Sequence, residues 1–117
     1  MSAVPGAVTA DDITEFTRTF ARPDGWRGAV GLYRSMLAEG DEIREIVASS
    51  PLRVPTLAIG GSGGPFTETT LDRVTDGPVD SVLLDNVGHH VPLEAPEAFA
   101  MALLTFIDGV DNDRSTD

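Results

Sequence analysis

At 117 residues and 41% apolar content, the chain can form one small domain with a modest core. Its 19 carboxylates oppose 8 cations, all arginine, so the net charge of −11 repels phosphate backbones and anionic bilayers and excludes nucleic acid and membrane surfaces as expected partners. With no cysteine there is no disulfide, thiolate nucleophile or thiolate metal ligand, and without a basic, apolar leader or a run of about 20 apolar residues a soluble, cytoplasmic protein is expected.

Residues 1–8 are small, apolar and rich in turn formers, and are expected to be disordered. Thr9-Ala10-Asp11-Asp12 predicts a helix start, its two carboxylates placed to complement the helix dipole. Ile13, Phe16, Thr17 and Phe20 follow on one helical face. Arg22-Pro23-Asp24-Gly25 is expected to break this helix and cap the next. The second helix carries the strongest period in the chain, a stripe of Trp26, Ala29, Val30, Tyr33, Met36 and Leu37. Gly40-Asp41 is expected to end it, with a short amphipathic turn at 43–47 leading to the break at Ser49-Ser50-Pro51.

Beyond Pro51 the pattern changes to that of buried strands. Residues 54–59 predict a strand, halted by the run Gly60-Gly61-Ser62-Gly63-Gly64-Pro65. A helix is expected over 66–75, with Leu71 and Val74 inward, and Asp76-Gly77-Pro78 turns the chain into a second strand over 79–84. The last helix is predicted over 96–108, with Phe99, Met101, Leu103, Leu104, Phe106 and Ile107 as its apolar residues. Residues 111–117 read as a polar, frayed tail. The expected organisation is a helical segment (9–50) followed by a β-α-β-α segment (51–110), an α/β protein. Strands joined by a crossover helix are parallel neighbours. Two such strands leave both outer edges open, a surface on which another chain can associate.

Chemistry concentrates after the second strand, in Val82-Leu83-Leu84-Asp85-Asn86-Val87-Gly88-His89-His90-Val91-Pro92-Leu93-Glu94-Ala95-Pro96-Glu97. An apolar strand enters a Gly-His turn, and a proline-opened helix follows. A general base belongs at a strand's carboxyl end, on a loop that aims it into a cleft, and must titrate near neutral pH. His89 meets each requirement; the other reading is of two turn histidines with no chemistry. Adjacent residues rarely point at one ion, so His89 and His90 predict no metal site.

This order resembles the histidine loop of the α/β-hydrolase superfamily, over roughly residues 13–108. The resemblance implies a partial α/β-hydrolase fold: two cap-type helices (9–50 as a cap-domain remnant), then β-α-β-α with a two-stranded parallel sheet (51–110). By position His89 matches the catalytic general base. Ala29-Val30-Gly31-Leu32-Tyr33-Arg34-Ser35-Met36 is similar to the last cap helix of epoxide hydrolases and related dehalogenases. There a tyrosine hydrogen-bonds the epoxide oxygen or leaving group, the role implied for Tyr33. A phenol of pKa about 10 can donate at neutral pH, although a tyrosine on an apolar stripe also suits simple packing. No cofactor is implied.

Gly60-Gly61-Ser62-Gly63-Gly64 satisfies G-x-S-x-G, after a strand and before a helix. It offers a compact serine hydrolase as an alternative, with Ser62 as nucleophile, His89 as base and Asp72, Asp76, Asp80 or Asp85 as acid. Only one crossover helix separates Ser62 from His89, however, and Pro65 sits where the elbow's helix should begin. Aligned from His89, the loop instead matches the turn that carries the triad acid in many family members, with Ser62 and glycines in its place. The nucleophilic elbow and the upstream His-Gly turn have no counterpart. The expectation is therefore a C-terminal fragment of an epoxide-hydrolase-like enzyme, inactive alone and acting on a small-molecule substrate once completed by an N-terminal half. A non-catalytic interaction module is the other alternative.

Overall fold

The computed structural model describes residues 3–115, apart from the side chain of Leu37. The outermost residues of both termini expected to be disordered, and Leu37 of the apolar stripe, lie outside that description. The elements are α1 (Ala10–Arg18), α2 (Arg27–Ser49), β1 (Thr56–Gly60), α3 (Phe66–Asp72), β2 (Val79–Leu83), α4 (Val91–Glu94) and α5 (Pro96–Arg114). Two helices thus precede a β-α-β-α arrangement with a two-stranded parallel sheet, the architecture its pattern predicts. The chain divides into two compact units, Val8–Pro51 and the combination of Met1–Ala7 with Leu52–Asp117.

In the helical unit, α1 starts where Thr9-Ala10-Asp11-Asp12 predicts, and its first turn closes a capping box. The Thr9 hydroxyl accepts from the Asp12 amide at 3.2 Å, and Asp12 Oδ2 accepts from the Thr9 amide at 2.8 Å. The hydroxyl and then the amide of Thr9 hold the Asp12 carboxyl below its ordinary pKa. Asp24, in left-handed backbone at φ 62°, turns the chain into α2, whose first turn has no side-chain cap. Trp26 stacks on Phe20 with ring centroids 4.2 Å apart.

The break expected at Gly40-Asp41 does not occur; α2 runs unbroken to Ser49. A glycine in a helix costs only about 1 kcal/mol relative to alanine. The helix-forming residues on either side of Gly40 offset that cost.

In the second unit the two strands pair in register from Thr56↔Val79 to Gly60↔Leu83. Register partners point to the same face, so Ala58 and Ser81 share one face while Leu57, Asp80 and Val82 share the other. The Ser81 hydroxyl donates to Glu68 of α3 at 2.9 Å, placing α3 on the first face. Leu57 and Val82 line a groove of about 970 Å3 with Ala98, Met101 and Phe106 of α5, placing α5 on the second.

Helix α3 is shorter than its pattern predicts. Residues 74–76 instead pair with the segment before β1 in an isolated bridge, Leu52↔Thr75: the Leu52 amide donates to the Val74 carbonyl at 2.8 Å and the Asp76 amide to the Leu52 carbonyl at 2.7 Å. Helix α5 continues past residue 108 to Arg114, and the Ser115 hydroxyl closes it on the Asp111 carbonyl at 2.8 Å. Among the described residues the buried apolar side chains are Ala58 in β1, Val87 in the loop that follows β2 and Val91 at the start of α4.

Candidate functional site

Val87 and Val91 flank the histidines, so the loop is anchored by two buried apolar side chains on either side of an exposed tip. The chain leaves β2 through Asn86, left-handed at φ 59°, and crosses directly over the loop that follows β1. The Ser62 amide donates to the Val87 carbonyl. A Cβ on buried Gly61 would strike the backbone of Val87 and Gly88, so only glycine permits the two loops this approach.

After the turn comes α4, a single turn that the sequence reading leaves as part of the loop. The amides of Leu93 and Glu94 both donate to the His90 carbonyl at 2.9 Å. Pro92 falls in its first turn, where a missing amide costs nothing.

Glu94 closes α4, is 9% exposed and is the buried charged residue among those described. Its Oε2 accepts from the amides of Ala3 at 2.6 Å, Val4 at 3.0 Å and Gly88 at 3.0 Å. Oε1 accepts from the His90 amide at 3.1 Å. Burial pushes the Glu94 carboxyl up, but these four backbone donors outweigh it and hold the group at about 2. Its anion is thus the form the fold requires.

His89 is exposed, with its ring edge-on to His90 at a centroid distance of 5.3 Å. It lines an open cleft of about 710 Å3 together with Ala3, Ile59, residues 60–64, Phe66 and Val91.

Ser62 lines the same cleft, but among the described residues no hydrogen bond joins it to His89. The four candidate acids of that alternative lie elsewhere. Asp72 ends α3, Asp76 pairs with Arg53 at 3.1 Å, Asp80 lines the α5 groove, and Asp85 is exposed after β2. Tyr33 stands on α2, 71% exposed. Among the described residues no group of His, Asp or Glu side chains is placed to hold a metal ion, and no helix is long and apolar enough to cross a membrane.

Glu94 stands in the stretch that the sequence singles out after the Gly-His turn, yet its reach is not legible there. Two of its donors lie 90 and 91 positions away, and no local spacing signals that.

Comparison with known proteins finds a relative in Epoxide hydrolase A of Mycobacterium tuberculosis, 35% identical over 103 residues. The match covers 85% of this chain and 30% of that protein, so the chain spans about three tenths of the relative's length. No protein-family model matches the chain. No solved structure matches it significantly. The chain is therefore a small α/β protein distantly related to the α/β-hydrolase superfamily, on the side of its epoxide hydrolases.

Proposed function

We propose that the chain is the histidine-bearing C-terminal portion of an epoxide-hydrolase-like enzyme. In the completed enzyme an aspartate from the remaining polypeptide attacks an epoxide carbon, the carbon–oxygen bond breaks, and an ester forms. Tyr33, in a cap-domain segment over 9–50, donates a hydrogen bond to the departing oxygen. His89 then takes a proton from water and the hydroxide adds to the ester carbonyl; on collapse the expelled oxygen takes the proton from His89, the first oxygen takes that of the new carboxylic acid, and the diol leaves as the aspartate is regenerated. The substrate is a small epoxide, and without the nucleophile the 117 residues alone turn nothing over.

The observation that carries this reading is the setting of His89: an exposed imidazole on a clamped loop after a parallel strand, opening onto a cleft. The relative's name supplies the reaction class. Large apolar residues left open on α2 and α5, Met36, Met101 and Leu104 among them, are consistent with surface that further polypeptide covers.

The test is a chimera in which this chain replaces its matched segment of the Mycobacterium relative. Hydrolysis of an aryl epoxide is expected, falling by about 100-fold or more in His89→Gln and by a smaller factor in Tyr33→Phe. A folded chimera without turnover would sink the reading. So would turnover by the 117-residue chain alone that vanishes in Ser62→Ala, which would instead establish the serine alternative.

A further inference from the structure

We propose that Glu94 is the positioning residue of the His89 loop, holding the backbone amides of the residues before and after the histidine with one carboxylate. Gly88 immediately precedes His89 and His90 immediately follows it, and their amides donate to Oε2 and Oε1 at 3.0 and 3.1 Å. Holding those two amides braces the short stretch of backbone that carries His89, so the ring reorients chiefly through its own two side-chain torsions. Oε2 also binds the amides of Ala3 and Val4, and Ala3 lines the cleft onto which His89 opens. One buried anion therefore organises two walls of the same cleft.

The arrangement is economical because it is charge-assisted. Hydrogen bonds to an ionised acceptor are about twice as strong as neutral ones. Burying a carboxylate also demands hydrogen-bond donors on both oxygens, and the four amides supply three to Oε2 and one to Oε1. A glutamine at this position keeps the shape but turns one acceptor into a donor, which faces another donor whichever way the amide is turned. The role assigned to His89 in this proposal rests on the hydrolase reading above; the clamp itself does not.

The test is amide hydrogen exchange and imidazole chemical shifts by NMR on the intact 117-residue chain and on Glu94→Gln. In the native chain the Gly88 and His90 amides are expected to exchange at least about tenfold more slowly than unbonded loop amides. In Glu94→Gln that protection is lost and the His89 ring resonances move, while β1 and β2 keep theirs. Rapid exchange of both amides in the native chain overturns the proposal without recourse to any variant. Unmoved His89 resonances in the variant, or loss of protection throughout β1 and β2, also overturn it, the last by making Glu94 a general structural residue. None of these outcomes depends on turnover, so a failed chimera leaves the clamp standing. A failed clamp likewise leaves the chimera to be judged on its own.

Discussion

A single hydrogen atom in place of a side chain decides how closely the two loops of the cleft approach. A methyl group on Gly61 meets the carbonyl oxygens of both Val87 and Gly88, which are backbone atoms and cannot swing aside as a side chain would. Gly61→Ala is expected to cost about 1–3 kcal/mol, as overpacking does in well-packed sites. It should also shift the Gly88 and His89 amide resonances, whereas Gly63→Ala, which meets nothing within 4 Å, should do neither. Equal urea midpoints for the two variants would show that the histidine loop does not rest on Gly61. At this scale the placement of His89 on a turn after β2 was legible, because a Gly-His turn after an apolar strand is a local pattern. Gly61 was visible only as one glycine of a run. Nothing local says which member of the run another loop will cross, nor that Glu94 will find donors at the far end of the chain.

Elements were legible where one period ruled a whole segment. The apolar runs at 54–59 and 79–84, each ended by turn residues, became β1 and β2 within two residues of their expected bounds. The first turn of α1 carries its capping box in four consecutive letters. Boundaries failed where tertiary pairing or helix continuity outweighed a local breaker. The Leu52↔Thr75 bridge ended α3 early, and α4, with four residues, is too short to show a period. Gly40 is the clearest case, since it sits inside α2 with no neighbour within 4 Å of a Cβ. Its cost there is conformational freedom lost on folding, with no packing role to offset it. Gly40→Ala is therefore expected to stabilise the helical unit by about 0.5–1 kcal/mol, read as a higher midpoint in chemical denaturation. A lower midpoint would mean that α2 does bend at Gly40, as the sequence pattern suggested.

Across the whole molecule two opposing terms set what the isolated chain does in solution. Among the described residues the buried apolar side chains are only alanine and valine, while Leu83 within β2 is 52% exposed and Met101 and Leu104 on α5 are 68% and 60% exposed. A two-stranded parallel sheet also presents unpaired backbone groups along both edges. Both features favour association of copies through sheet edges and apolar faces. Against them stands the net charge of −11, which each copy presents to the next. The apolar term is little affected by moderate salt, but the repulsion is screened, with a Debye length falling from about 30 Å at 0.01 M to about 3 Å at 1 M. Sedimentation velocity is therefore expected to show a species of monomer mass at low ionic strength, and increasing association as sodium chloride is raised towards about 0.5 M at fixed protein concentration. Adding charge to the exposed α5 face, as in Met101→Glu with Leu104→Glu, should shift that onset to higher salt. Association that is indifferent to salt would show that charge is not what keeps the copies apart. A monomer at every salt concentration would show that the exposed apolar residues do not drive self-association.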